Sequence, residues 1–80
     1  MAQEKILIVD DEVVVAEDIR RQLRSLGYVV VGVVASGSEA LHLAGEHRPD
    51  LILMDIKLKG PLDGIDTART IQSHYGIPVI

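Results

Sequence analysis

Cysteine is absent from the chain, so it can contain neither a disulfide framework nor a thiolate metal site. Positive charge is scarce, because 8 lysines and arginines face 12 aspartates and glutamates, for a net charge of −4. An acidic surface repels a phosphate backbone, which argues against nucleic-acid binding by this segment. No apolar run approaches the roughly 20 residues that a membrane-spanning helix needs. We therefore expect a cytoplasmic protein that binds neither nucleic acid nor membrane.

Two nucleotide-binding motifs are missing as well. The chain has no G-x-x-x-x-G-K-[ST] loop and no G-x-G-x-x-G turn, so backbone amides are not expected to cradle a nucleotide. Hydrophobic residues, by contrast, are plentiful at 48%, and 25% of the residues are charged. This balance is typical of a folded domain rather than a disordered segment. With 80 residues, the chain is at most one domain.

Short apolar runs alternate with amphipathic segments along the whole chain. The runs predict strands at residues 6–9, 28–34, 51–54 and 77–80, and the segments between them predict helices at 12–26, 39–47 and 64–75. The apolar faces predicted for the first and third helices are Val15, Ile19, Leu23 and Leu26, and Ile65, Ala68, Ile71 and Tyr75. Such alternation predicts a doubly wound, flavodoxin-like α/β fold, in which a parallel sheet carries helices on both faces.

Carboxylates follow two of the predicted strands. Asp10 and Asp11 close the first strand and Asp55 closes the third. In the strand order 2-1-3-4-5, common in small doubly wound domains, these strands are neighbours, and ligands collect at their carboxyl ends. Two like charges about 4 Å apart repel by roughly 4 kcal/mol at an effective dielectric near 20. The cluster therefore needs a compensating cation, a raised pKa or a bound proton. Mg²⁺ suits such a site, because carboxylate oxygens are its usual protein ligands.

Helix capping is the alternative explanation for the first two aspartates. Asp10 or Asp11 could cap the following helix, and Glu12 could complement its dipole. Asp55 is harder to explain in this way, because a charge that ends an apolar strand is rarely placed there for stability. Spacing and element order together favour the metal site, while a capping role for the pair stays open.

Four segments resemble the receiver domain of two-component response regulators. They are Lys5-Ile-Leu-Ile-Val-Asp10-Asp11-Glu12, Pro49-Asp50-Leu-Ile-Leu-Met-Asp55, Asp63-Gly64 and Ile77-Pro78-Val79-Ile80. The resemblance covers the whole chain. It implies that Asp55 accepts a phosphoryl group from a sensor histidine kinase or phosphotransfer protein, and that the domain then switches a downstream effector or output domain. It also implies that Asp11 ligates Mg²⁺ directly, Asp10 through water, and Lys57 through its backbone carbonyl, so that Mg²⁺ is the expected cofactor.

The resemblance also sets expectations about extent. A receiver has a hydroxyl residue after its fourth strand and a lysine at the end of its fifth, and both positions would lie beyond Ile80. We therefore expect residues 1–80 to be the N-terminal two-thirds of a single receiver domain, with a sheet that is incomplete at its C-terminal side. Lys59 lies four residues after Asp55, where receivers commonly have a proline. The loop from Asp55 to Asp63 is one residue longer than in the commonest form of the family.

Two further expectations concern activity and partners. We expect no enzymatic turnover of a separate substrate, only phosphoryl transfer onto the chain's own Asp55. An exposed fourth strand would allow pairing with a second chain, so a homodimer stays open. The main alternative function is a phosphorylation-independent module that only binds proteins. A Mg²⁺-dependent phosphatase is disfavoured, because those enzymes resemble D-x-D sites on the first strand, whereas here the two aspartates are adjacent.

Overall fold

Three strands and three helices alternate in the computed structural model, which describes residues 4–55 and 64–80. The elements are β1 (Lys5–Val9), α1 (Val13–Ser25), β2 (Val29–Val34), α2 (Gly37–His47), β3 (Leu51–Met54) and α3 (Gly64–Tyr75). The predicted doubly wound α/β architecture is confirmed, and the six observed elements lie within two residues of their predicted bounds. Within the described ranges, no helix is long and apolar enough to cross a bilayer.

The sheet is parallel, with the order β2-β1-β3. The pairing of β1 with β3 is regular, whereas β2 slips by one residue at Val31, between the partners of Ile6 and Leu7. The predicted fourth strand is represented by a single parallel bridge between Val79 and Ile52. Around this bridge, the Ile80 N–H donates to the carbonyl of Ile52 at 2.9 Å. The 2-1-3 order is therefore the predicted one, and residue 79 lies on the predicted side of β3.

Alternate residues of β1 supply two cores on opposite faces of the sheet. Leu7 and Val9 are fully buried in a cluster with α2 and α3, whereas Ile6 and Ile8 are buried in a cluster with α1. A strand buried on both faces reads as a continuous apolar run, as residues 6–9 do. The central strand is therefore fixed from both sides, and the positions of the residues that follow it are fixed with it.

The sequence-based helix faces are wrong at three positions. In α1, Val15 is 42% exposed and Leu26, just beyond the helix, is 73% exposed, while the small Ala16 is fully buried. Alanine lets the helix backbone approach the sheet closely, so the contact face is rotated from the one that larger residues indicate. In α3, Ile65 is 56% exposed and Thr67 takes the buried position.

Local residues explain two of the helix boundaries. Ser36 is the N-cap of α2, and its Oγ accepts the backbone N–H of Glu39 at 3.2 Å. Gly27 follows α1 with a φ of +96°, as expected for a glycine that ends a helix. The non-glycine residue Arg48 ends α2 with a φ of +48°, which the sequence pattern did not indicate.

Candidate metal centre

Asp10 and Asp55 follow two adjacent strands and are held by the backbone of the sheet. The Asp10 N–H donates to the carbonyl of Val34 on β2 at 2.9 Å, and the Asp55 N–H donates to the carbonyl of Val9 on β1 at 2.9 Å. Both aspartates are half-buried. Because each main chain is part of the ladder, the two side chains start from fixed positions at the carboxyl end of the sheet.

The three predicted aspartates come together. One carboxylate oxygen from each of Asp10, Asp11 and Asp55 lies within 4.8 Å of the other two. At a separation of about 5 Å, each charged pair repels by about 3 kcal/mol at an effective dielectric near 20, and less where water screens it. Three carboxylates in one place therefore cost folding free energy unless a cation or a proton compensates them.

Neither Asp10 nor Asp11 has the capping role that the sequence left open, because Glu12 is the N-cap residue of α1. Asp10 instead makes a local contact in the turn before the helix. Its Oδ1 accepts the backbone N–H of Glu12 at 2.9 Å. The side chain of Glu12 itself makes no capping hydrogen bond. Asp10 therefore fixes the turn into α1 with one oxygen, and this contact orients the carboxylate. Asp10 therefore belongs both to the acidic cluster and to this turn, and the helix-capping prediction is wrong.

The geometry of the cluster fits a small hard cation. Oxygen ligands of an octahedral Mg²⁺, at about 2.1 Å from the metal, are about 3 Å apart when adjacent and about 4.2 Å apart when opposite. The three carboxylate oxygens lie within 4.8 Å of one another, which is close to that range. Side-chain rotations that move each oxygen by about 1 Å would therefore bring them to ligand distance. The donor set is all oxygen, which suits Mg²⁺ rather than a soft metal.

An open groove of about 380 Å³ adjoins the carboxylates. Asp10 and Asp55 lie at its polar side, and Ile8, Ile19, Leu53 and Ile80 form much of its apolar wall. An apolar wall lowers the local dielectric, which strengthens the interaction of the carboxylates with any cation or phosphoryl group that enters. The predicted fourth ligand, the carbonyl of Lys57, lies outside the described residues.

Comparison with known proteins decides the family. The family model for the response regulator receiver domain matches residues 6–80. The chain belongs to the response regulator receiver domain family. The match spans both strands that carry the aspartates, so the receiver resemblance of the sequence motifs is confirmed.

Several characterised receivers are similar in sequence or structure. The transcriptional regulatory protein PdtaR of Mycobacterium tuberculosis is 41% identical over 76 residues, which is 95% of this chain and 37% of PdtaR. The signal receiver domain of a modulated diguanylate cyclase from Desulfovibrio desulfuricans G20 superposes with a TM-score of 0.92 at 44% identity, over 96% of this chain and 62% of that one.

A second similar structure contains a protein partner. It is the anti-anti-sigma factor PhyR of Bartonella quintana in complex with the anti-sigma factor NepR, with a TM-score of 0.87 and 36% identity over 96% of this chain and 32% of that one. The chain thus spans only about a third of the length of PdtaR and of this PhyR chain. Family membership accordingly applies to the receiver segment itself.

Proposed function

We propose that this receiver segment is a phosphorylation switch in which Asp55 accepts a phosphoryl group in the presence of Mg²⁺. The observation that carries the proposal is the convergence of Asp10, Asp11 and Asp55 within 4.8 Å at the carboxyl end of the sheet. Family membership over residues 6–80 supports the same function. The proposed donor is a histidine kinase or phosphotransfer protein, and the proposed readout is a downstream effector or output domain in the cytoplasm.

The proposed reaction uses Asp55 as the nucleophile. A carboxylate oxygen of Asp55 attacks phosphorus in line, the bond from phosphorus to the donor's histidine nitrogen breaks, and that nitrogen leaves as imidazole. Bound Mg²⁺ would neutralise negative charge on the transferring phosphoryl oxygens. Asp11 and Asp10 would hold the cation, with Asp10 kept in place by the N–H of Glu12. The chain would thus act on its own Asp55 and not on a released substrate.

The intact mass of the purified protein tests this proposal. Incubation with Mg²⁺ and acetyl phosphate should add one phosphoryl group to the wild type. No phosphoryl group should be added to Asp55→Asn, or to the wild type when EDTA removes the metal. A matched control is Asp50→Asn, which removes charge from an aspartate at the opposite end of the sheet and should still be phosphorylated. Absence of the adduct in the wild type, or an equal adduct in Asp55→Asn, would contradict the proposal.

Phosphorylation-independent protein binding is the second candidate function. It is favoured by the similarity to PhyR, which has been solved in complex with NepR. The two functions differ in their dependence on the acidic cluster. A pure binding module would retain its partner after Asp55→Asn and in EDTA, whereas a phosphorylation switch would change its partner affinity when phosphorylated.

A further inference from the structure

The outer edge of β2 has no neighbour in the described part of the sheet. In the order β2-β1-β3, strand β2 pairs along one edge with β1, and no other strand within residues 4–55 and 64–80 pairs with its second edge. An open edge presents backbone N–H and C=O groups in strand geometry, and the group that complements them is another extended strand. This edge lies on the side of the sheet away from β3 and Val79.

The edge carries little of the protection that monomeric proteins usually place there. Lysine, proline, other charges and bulges normally discourage pairing with another chain. Residues 28–36 read YVVVGVVAS and contain no charge and no proline. The one irregularity is the register step at Val31. Tyr28 and Val29 are each 37% exposed, so apolar surface is available along the strand.

We propose that β2 pairs antiparallel with β2 of a second copy of this chain, which joins the two sheets across a two-fold axis. The same patch is then used on both copies, so the contact closes as a dimer and cannot propagate into a filament. The axis would pass between Val31 and Gly32, with Val31 opposite Gly32 of the second copy. Gly32 has no side chain, so it leaves room opposite it for Val31, the residue that the register step adds to β2.

Side-chain sizes fit this register. Val29 and Val30 would face Val34 and Val33 of the second copy, and β-branched pairs are favourable across strands. Tyr28 would face Ala35, an exposed small residue on which the ring could lie. Because residues 28–36 contain no charged residue, this register neither brings two charges together nor places a charge against an apolar side chain.

Charge selects the antiparallel orientation. Asp10, Asp11, Glu39 and Asp55 lie at the carboxyl end of the strands, whereas Arg24 lies at the amino end, beside Val29 and Val30. Parallel pairing of two copies would place both acidic ends together. Antiparallel pairing separates the two acidic ends and so reduces their mutual repulsion.

Sedimentation equilibrium of the purified protein gives the first test. Edge pairing buries less than a standard interface, so we expect a weak dimer with a dissociation constant of about 100 µM. Val29→Lys places a charge on the edge and should weaken the dimer at least about tenfold. Val14→Lys is the matched control, because Val14 is 83% exposed on α1, away from β2, and this variant should dimerise like the wild type.

Disulfide trapping tests the register without relying on a destabilising charge. The natural chain has no cysteine, so new cysteines report only their own contacts. Residues directly opposite in an antiparallel pair are close enough for a disulfide. The double variant Tyr28→Cys/Ala35→Cys should form a covalent dimer on mild oxidation, and each single variant should stay largely monomeric under the same conditions.

Three outcomes would overturn the proposal. They are a wild type that stays monomeric up to about 1 mM, a dimer that Val29→Lys does not weaken, and a double cysteine variant that crosslinks no better than the single variants. A dimer formed through residues 77–80 at the opposite side of the sheet would give the second and third outcomes together. Asp55→Asn should dimerise normally, so this test is independent of the phosphorylation proposal.

Discussion

Aspartates at the two ends of the sheet have contrasting surroundings. At the amino end, Asp50 accepts the backbone N–H of Lys5 at 2.8 Å through Oδ2 and donates its own N–H to the carbonyl of Lys5 at 2.8 Å. At the carboxyl end, Asp10, Asp11 and Asp55 place oxygens within 4.8 Å of one another. The first arrangement joins two strands, whereas the second brings like charges together. Because Asp10 also accepts the N–H of Glu12, the crowding of the carboxylates, and not a lack of donors, distinguishes the carboxyl end as a ligand site.

The packing around these residues differs in the same way. At the amino end, the guanidinium of Arg48 lies 5.2 Å from the centre of the Tyr75 ring, and this ring packs so closely on Gly45 that a Cβ there would be 2.7 Å from the tyrosine oxygen. At the carboxyl end, the fully buried Oγ1 of Thr67, in the first turn of α3, has no hydrogen-bond partner among residues 4–55 and 64–80. The contacts of Tyr75 thus join α2 to α3 at the end of the sheet away from the site.

The largest effect should come from removing the ring that joins α2 to α3. Tyr75→Ala should lower the free energy of unfolding by about 2 kcal/mol, since the half-buried ring leaves a cavity and Arg48 loses its aromatic partner. Urea denaturation measures the change. Tyr75→Phe keeps the ring and should cost no more than about 0.5 kcal/mol. Equal losses in the two variants would show that the hydroxyl, and not ring packing, matters here.

Removing the amino-end aspartate should have the next largest effect. Asp50→Ala should lower the free energy of unfolding by about 1.5 kcal/mol, because the backbone N–H of Lys5 loses a charged acceptor. The same variant should bind Mg²⁺ with unchanged affinity, as measured by calorimetry. A loss of metal binding in Asp50→Ala would break the distinction between the two ends.

Neutralising a carboxylate at the carboxyl end of the sheet should stabilise the protein, whereas the loss of Asp50 should destabilise it. Asp11→Asn, measured without divalent metal, should raise the free energy of unfolding by about 1 kcal/mol, because repulsion within the cluster is relieved and water screens part of it. The comparison with Asp50→Ala is made in the same buffer. A destabilised Asp11→Asn would mean that this carboxylate is a structural residue like Asp50.

The smallest effect should come from the buried hydroxyl of α3. Thr67→Val keeps the shape of the side chain and removes a buried polar atom that has no partner in the described part of the chain, so it should raise the free energy of unfolding by about 0.5 kcal/mol. Thermal denaturation can detect such a shift. Destabilisation by Thr67→Val would instead assign the hydroxyl a structural contact.

Much of the fold could be predicted because its signals are local. Continuous apolar runs identified β1 and β3, because strands that are buried on both faces carry few polar residues. The aspartate cluster was predictable because the ends of adjacent parallel strands meet by topology. The three aspartates could thus be placed together without knowledge of any side-chain packing.

The errors concern packing, which depends on the whole structure. The buried residue of α1 is Ala16 and not the predicted Val15, because a small residue permits close approach of the helix to the sheet. Sequence periodicity, in contrast, gives more weight to larger apolar residues. The contact between Tyr75 and Gly45 joins helices that are far apart along the chain and has no sequence signature. The contact of Asp10 with the N–H of Glu12 was not predicted, because the sequence suggested a helix cap and the turn before α1 is defined only by the coordinates.

The central claim is that the carboxyl end of the sheet is built to hold a cation. Its most direct test is the free energy of unfolding with and without Mg²⁺ at matched ionic strength. The wild type should gain about 1.4 kcal/mol at a Mg²⁺ concentration ten times the dissociation constant, and Asp11→Asn should gain almost nothing. A wild type that Mg²⁺ leaves unchanged, or an Asp11→Asn variant that gains as much as the wild type, would contradict the claim.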